Sequence, residues 1–204
     1  MEKQTVHLFI FDTLADWEAC FAIAGINNPI FPTQPWRYQV KTVGLSTRPA
    51  VTIGGMTILP DMTLDELQPE QSAMLILPGG NTWDEGENLE AGHKAEAFLA
   101  AGVPVAAICG ATAGLARLGI LDDKRHTSNA LVYLQALNYQ GTRLYQDQPA
   151  VTDGNLITAG STASIDFAYH IFKKLGIYDD AKLDAWYGLF KTGDPAYFFK
   201  LQQG

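Results

Sequence analysis

Cysteine is scarce in this chain: Cys20 and Cys109 are the only two among 204 residues. Two thiols cannot build a disulfide framework, and no CxxC pair or Cys/His cluster offers zinc spacing, so no metal site is expected. They make one bridge at most, or else stay two free thiols. Charge is also sparse, at 18% against about a quarter in an average soluble domain, which leaves room for surface buried between subunits. Basic residues are the short side of the balance, with 14 Lys and Arg facing 22 Asp and Glu for a net charge of -8. No basic block interrupts this, so a nucleic-acid partner is not expected.

Long hydrophobic runs are missing as well. The N-terminus holds at most six apolar residues before Asp12, too few for the core of a signal peptide, and the chain reads as cytoplasmic. Ala97 to Ala116 is uncharged for 20 residues, about the length that spans a bilayer. Its glycines, Pro104 and many alanines break it into a helix end, a turn and a buried strand, so no membrane partner is expected. GxxxxGK[ST], GxGxxG and HExxH are all absent, which removes the usual signals for phosphate cradles and metalloprotease chemistry and leaves no cofactor implied.

What is present is enough apolar residue, 47% of the chain, to bury one good core. Thr5 to Phe11 reads as a strand, and Thr13 with Asp16 reads as the capping box of a helix through Ala24. A loop from Asn27 to Pro35 leads to a strand from Tyr38 to Leu45, and Gly54-Gly55 reads as a hairpin turn between Val51 to Ile53 and Met56 to Leu59. Met74 to Leu77 and Val103 to Ile108 are unbroken apolar runs, as expected of strands covered on both faces. Helices are expected over Leu89 to Ala101, Gly110 to Leu118, Leu131 to Leu137 and Ala163 to Leu175, with a strand at Leu156 to Ala159. This alternation predicts an α/β fold with a doubly wound, mostly parallel sheet. The chain reads as a single domain over 1–204, ending in an aromatic-rich tail over 177–204 whose rings need burial against the body or a second subunit.

In such folds ligands bind beyond the carboxyl ends of the strands, and Cys109 sits at one of these ends. Ala107, Gly110 and Ala111 around it are small, as a nucleophile on a sharp strand-to-helix turn requires. The helix starting at Gly110 is expected to favour the thiolate. Cys20, within the first helix, is expected to pack in the core.

LILPGG at Leu75 to Gly80, AAICGATAGLARLGILDDKRHTSN at Ala106 to Asn129, and Glu18 after the first strand together resemble the ThiJ/PfpI family of the class I glutamine amidotransferase-like superfamily. The resemblance runs from about Val6 to Leu175 and implies a flavodoxin-like three-layer sandwich with a nucleophile elbow. It also implies Cys109 as nucleophile, Glu18 as the carboxylate at its sulfur, and Gly80 with Gly110 as an oxyanion-binding pair. Thr112, Asn129 and His126 are candidates for orienting substrate. A homodimer acting on a small-molecule or peptide substrate is implied too.

Where PfpI-type proteases carry a His after the nucleophile, this chain has Gly110. Where the parkinsonism-associated relative has another His, it has Asn129. A cysteine protease normally uses His as base and acid, so the expected activity is a cysteine-dependent hydrolase or lyase working through a thiolate adduct with Glu18 moving the proton. The alternative is a redox sensor or stress-response protein whose Cys109 oxidises.

Overall fold

The computed structural model describes residues 3–33 and 37–203. Gln34 and Pro35, the end of the expected loop, lie outside the described residues. β1 (Gln4–Phe9) leads into α1 (Asp16–Asn27), and β2 (Tyr38–Gly44) is followed by a short hairpin of β3 (Ala50–Val51) and β4 (Thr57–Ile58). Then come β5 (Met62–Thr63), β6 (Met74–Leu77), α2 (Asn81–Asp84), α3 (Leu89–Ala100), β7 (Val105–Ile108), α4 (Gly110–Arg117) and α5 (Leu131–Gln135). β8 (Ala150–Asp153), β9 (Leu156–Ala159), α6 (Ser164–Leu175), α7 (Asp180–Thr192) and α8 (Pro195–Gln203) complete the chain.

The main sheet has the order β5-β2-β1-β6-β7-β9-β8 and is parallel except for the β8–β9 pair. β6 and β7 lie at its centre, and every one of their residues is buried, as their lack of polar alternation requires. Helices α1 and α6 pack together, with α7 and α8 beyond them, while α2, α3 and α4 form the other helical group, giving three layers. The chain leaves β1 toward β2 and returns on its other side as β6, so the strand order reverses at β1 and opens a crevice at the carboxyl ends. Among the described residues no helix is long and apolar enough to cross a membrane. The uncharged stretch from Ala97 divides among the end of α3, β7 and most of α4.

Three expectations change. The capping box fails, because α1 begins at Asp16 after Ala15, and Thr13 adopts a positive φ of 73° two residues upstream. Asp16 serves the hairpin instead, its Oδ2 accepting the Gly54 N–H at 2.6 Å. Cys20 is exposed rather than packed in the core, since the buried stripe of α1 runs through Glu18, Ala19, Ala22 and Ile26. The strand β8 was not anticipated. Its AVTD sequence is short and ends in a carboxylate, and only pairing with β9 makes it a strand.

The tail rings nearest α6 bury against the body. Trp186 is 2% exposed and meets Phe172 at 4.8 Å between ring centroids, and Phe190 meets Phe21 at 5.5 Å. Farther along, Phe198 and Phe199 remain exposed.

Candidate active site

Four strand ends converge in the crevice. Glu18 follows β1, Gly79 and Gly80 follow β6, Cys109 follows β7, and Ser161 follows β9. Cys109 has φ 58° and ψ -125°, a conformation that a non-glycine residue adopts only under constraint. The constraint is visible on both sides. Its N–H donates to the Ala159 carbonyl of β9 at 3.0 Å. Its carbonyl accepts from both the N–H of Thr112 at 3.0 Å and the hydroxyl of Thr112 at 2.6 Å. That hydroxyl has one proton, so the Ser128 hydroxyl, 2.6 Å away, donates to it. Thr112 is fully buried and braces the elbow, which corrects its expected role of orienting substrate.

The sulfur sits half-buried between two polar walls. On one side the Asn129 Nδ2 donates to it at 3.4 Å. The amide is turned that way because its Oδ1 accepts the Ser161 N–H at 2.9 Å, which leaves only the donor end for sulfur. On the other side is Glu18, 0% exposed, whose Oε2 accepts the Gly79 N–H at 2.5 Å. Its second oxygen is buried without a hydrogen-bond partner, and the carboxyl couples to the thiol.

Burial holds the Glu18 carboxyl up to about 7, against the opposing pull of the Cys109 and Gly79 hydrogen bonds. The thiol is pushed up to about 12, first by burial and then by the negative charge of Glu18, with Asn129 and Gly110 opposing. The helix start therefore does not by itself make a thiolate, which corrects the expectation from α4. Once either group is ionised, the other is held protonated, so the two titrate as a pair.

Gly79 is the residue that the sequence reading passed over. A Cβ there would lie 2.6 Å from Cys109 Cβ and 2.8 Å from Glu18 Oε2, so only glycine fits between the Cys109 side chain and the carboxyl. Its signal was the PGG run already singled out for Gly80. Gly80 itself is walled in, since a side chain there would meet the Thr13 carbonyl at 2.4 Å. A Cβ on Gly110 would stand 3.1 Å from the Gly80 carbonyl and 3.5 Å from its amide nitrogen, so these two backbones are neighbours beside the elbow.

The histidines are engaged elsewhere. His126 is fully buried, with Nδ1 2.6 Å from the Lys124 carbonyl and Nε2 2.5 Å from the Tyr139 hydroxyl, so it corrects to a structural residue. His7 bonds Ser72, His170 bonds Thr152, and His93 lies near Glu96 on α3. Among the described residues no group of three or more His, Cys, Asp or Glu could hold a metal ion.

The fold and site thus define a doubly wound α/β protein that presents a cysteine on a strained strand-to-helix elbow beside a buried carboxyl. The chain belongs to the DJ-1/PfpI family, whose model matches residues 4–174. It is similar to a Bacillus subtilis protein named as an uncharacterized protease, YoaZ, with 41% identity over 204 residues covering 98% of this chain and 97% of that one. A ThiJ/PfpI family protein from Bacillus anthracis has a solved structure that superposes with a TM-score of 0.92 at 40% identity, covering 100% of this chain and 97% of that one. A deglycase from Pyrococcus horikoshii is 30% identical over 122 residues, 59% of this chain and 72% of its own.

Proposed function

We propose that the chain is a cysteine-dependent enzyme of hydrolase or lyase type, acting on the carbonyl of a small or peptide-like substrate through a Cys109 adduct. The observation that carries this reading is the strained elbow of Cys109 with Glu18 and Asn129 at its sulfur. The names protease and deglycase borne by relatives both describe attack at a carbon bonded to oxygen or nitrogen, and so agree with it.

The thiol holds its proton at rest, and as a carbonyl approaches, Glu18 takes that proton onto its unpartnered oxygen, which leaves Cys109 as the attacking thiolate. The sulfur then adds to the carbonyl carbon, a C–S bond forms, and the π electrons of C=O move to oxygen. Backbone N–H groups of Gly80 and Gly110 face that developing charge in this reading. With an aldehyde the oxygen takes the Glu18 proton and a thiohemiacetal results. With an amide or ester the intermediate collapses, the C–N or C–O bond breaks, and the leaving group takes that proton. Water then cleaves the thioester and restores it. Of the two side chains that flank the sulfur, Asn129 cannot titrate, so Glu18 moves the proton.

The homodimer and cytoplasmic setting belong to the same reading, and light scattering checks the former. The mechanism is tested by protection: a small aldehyde at rising concentration should shield Cys109, and not Cys20, from iodoacetamide, as read by peptide mass spectrometry. Equal labelling of Cys109 with and without a panel of aldehydes and activated esters would overturn it.

A further inference from the structure

Trp83 and Trp186 are buried, at 0% and 2% exposure, whereas Trp17 keeps 51% of its surface open. Its ring is nevertheless held in place. The indole Nε1–H donates to the Ser161 carbonyl at 3.2 Å, and Ser161 is the residue whose own N–H fixes the Asn129 amide that donates to Cys109. Trp17 also immediately precedes Glu18 on the first turn of α1, so the ring and the buried carboxyl are carried by one rigid element. An exposed indole is thereby tethered to the rim of the half-buried thiol by three consecutive hydrogen bonds.

The chemistry left on that ring is specific. Its one donor is spent on Ser161, so a ligand meets only the π face and the ring edge, surfaces that reward a flat apolar partner over a neutral polar one. Beside it, the Asn129 amide is already committed at both ends, to the Ser161 N–H and to the Cys109 sulfur.

We propose that Trp17 is a specificity-determining residue, whose indole stacks on a flat apolar group attached to the reacting carbonyl. The preferred substrates are then aryl or unsaturated carbonyl compounds rather than small polar ones. This inference rests on Cys109 being the nucleophile.

Two alkylating reagents with the same reactive carbon, iodoacetamide and its N-phenyl derivative, test it. Second-order rates at Cys109 are read by peptide mass spectrometry, with Cys20 of the same molecule as the reference for intrinsic reactivity. The wild-type protein should prefer the phenyl reagent at Cys109 beyond its preference at Cys20. Trp17→Ala should lower that preference by about fivefold, the scale of one aromatic stack. Trp17→Phe should keep most of it, because the ring remains although the N–H tether is gone. A wild-type preference surviving in Trp17→Ala, or Trp17→Phe falling as far as Trp17→Ala, would overturn the proposal. A Cys109 inert to both reagents would overturn the cysteine reading itself, and this proposal with it.

Discussion

The two thiols of this protein occupy opposite environments. Cys20 lies in the middle of α1, exposed, with its S–H donating to the Asp16 carbonyl one turn back. Cys109 lies at the start of α4, half-buried, in a backbone conformation that its neighbours impose. Exposure alone would pick Cys20 as the reactive residue. Yet burial together with the neighbouring Asp16 charge raises the pKa of Cys20, and its S–H is spent on a backbone carbonyl. Cys109 has Asn129, the Gly110 N–H and a carboxyl that shares its proton. We therefore expect reactivity to follow the groups arranged at the sulfur rather than access to solvent.

The sharpest way to break this contrast is substitution of each thiol. Cys109→Ser should abolish turnover of an activated ester, by about three orders of magnitude or more, as loss of a nucleophile does. Cys20→Ser should stay within about twofold of wild type. Comparable losses in both would contradict the assignment.

Next in size is Gly79→Ala. The added Cβ would press on Cys109 Cβ and Glu18 Oε2 at once, so the elbow must shift at a cost of about 1–3 kcal/mol. Chemical denaturation should show that loss together with slowed labelling of Cys109, while Cys20 labels as before. An alanine variant with wild-type stability and labelling would show that the packing around Gly79 is looser than described.

A smaller effect is expected from Asn129→Leu, which keeps the bulk and removes the donor to sulfur. Loss of one long hydrogen bond to a charged partner, about 1.5 kcal/mol, should slow Cys109 alkylation at neutral pH by roughly tenfold. No change in rate would mean that the amide does not serve the anion.

Much of this was legible in the sequence. β6 and β9 fall where Met74 to Leu77 and Leu156 to Ala159 predicted them, and the elbow at Cys109 followed from its small neighbours. Those features are local, because an unbroken apolar run or a tight turn is written within a few residues. What was not legible depends on residues far apart. The hydrogen bond from Gly79 to Glu18 spans 61 positions, and the one from Ser161 to Asn129 spans 32. His126 and Thr112 share the segment of the motif and still face the interior, since position in a motif does not say which way a side chain turns.

The last expected effect concerns stability alone. The fold keeps the Glu18 proton up to about 7, whereas the unfolded chain releases it near the ordinary 4.5. Folding therefore takes up a proton between those values, and stability falls as pH rises through that window, by up to about 3 kcal/mol. Glu18→Gln does not titrate. Its melting temperature relative to wild type should move upward by several degrees between pH 4 and pH 8; a constant difference would deny that Glu18 is buried as an acid.

The central claim, that Cys109 and Glu18 titrate as one pair, is tested most directly by the pH profile of Cys109 alkylation in wild type and Glu18→Gln, with Cys20 as internal reference. Two coupled groups lose their protons in two separated steps, and removing one group leaves a single intermediate step. Wild-type Cys109 should show two inflections that bracket the one inflection of Glu18→Gln. Identical single-step profiles for the two proteins, matching that of Cys20, would contradict the account.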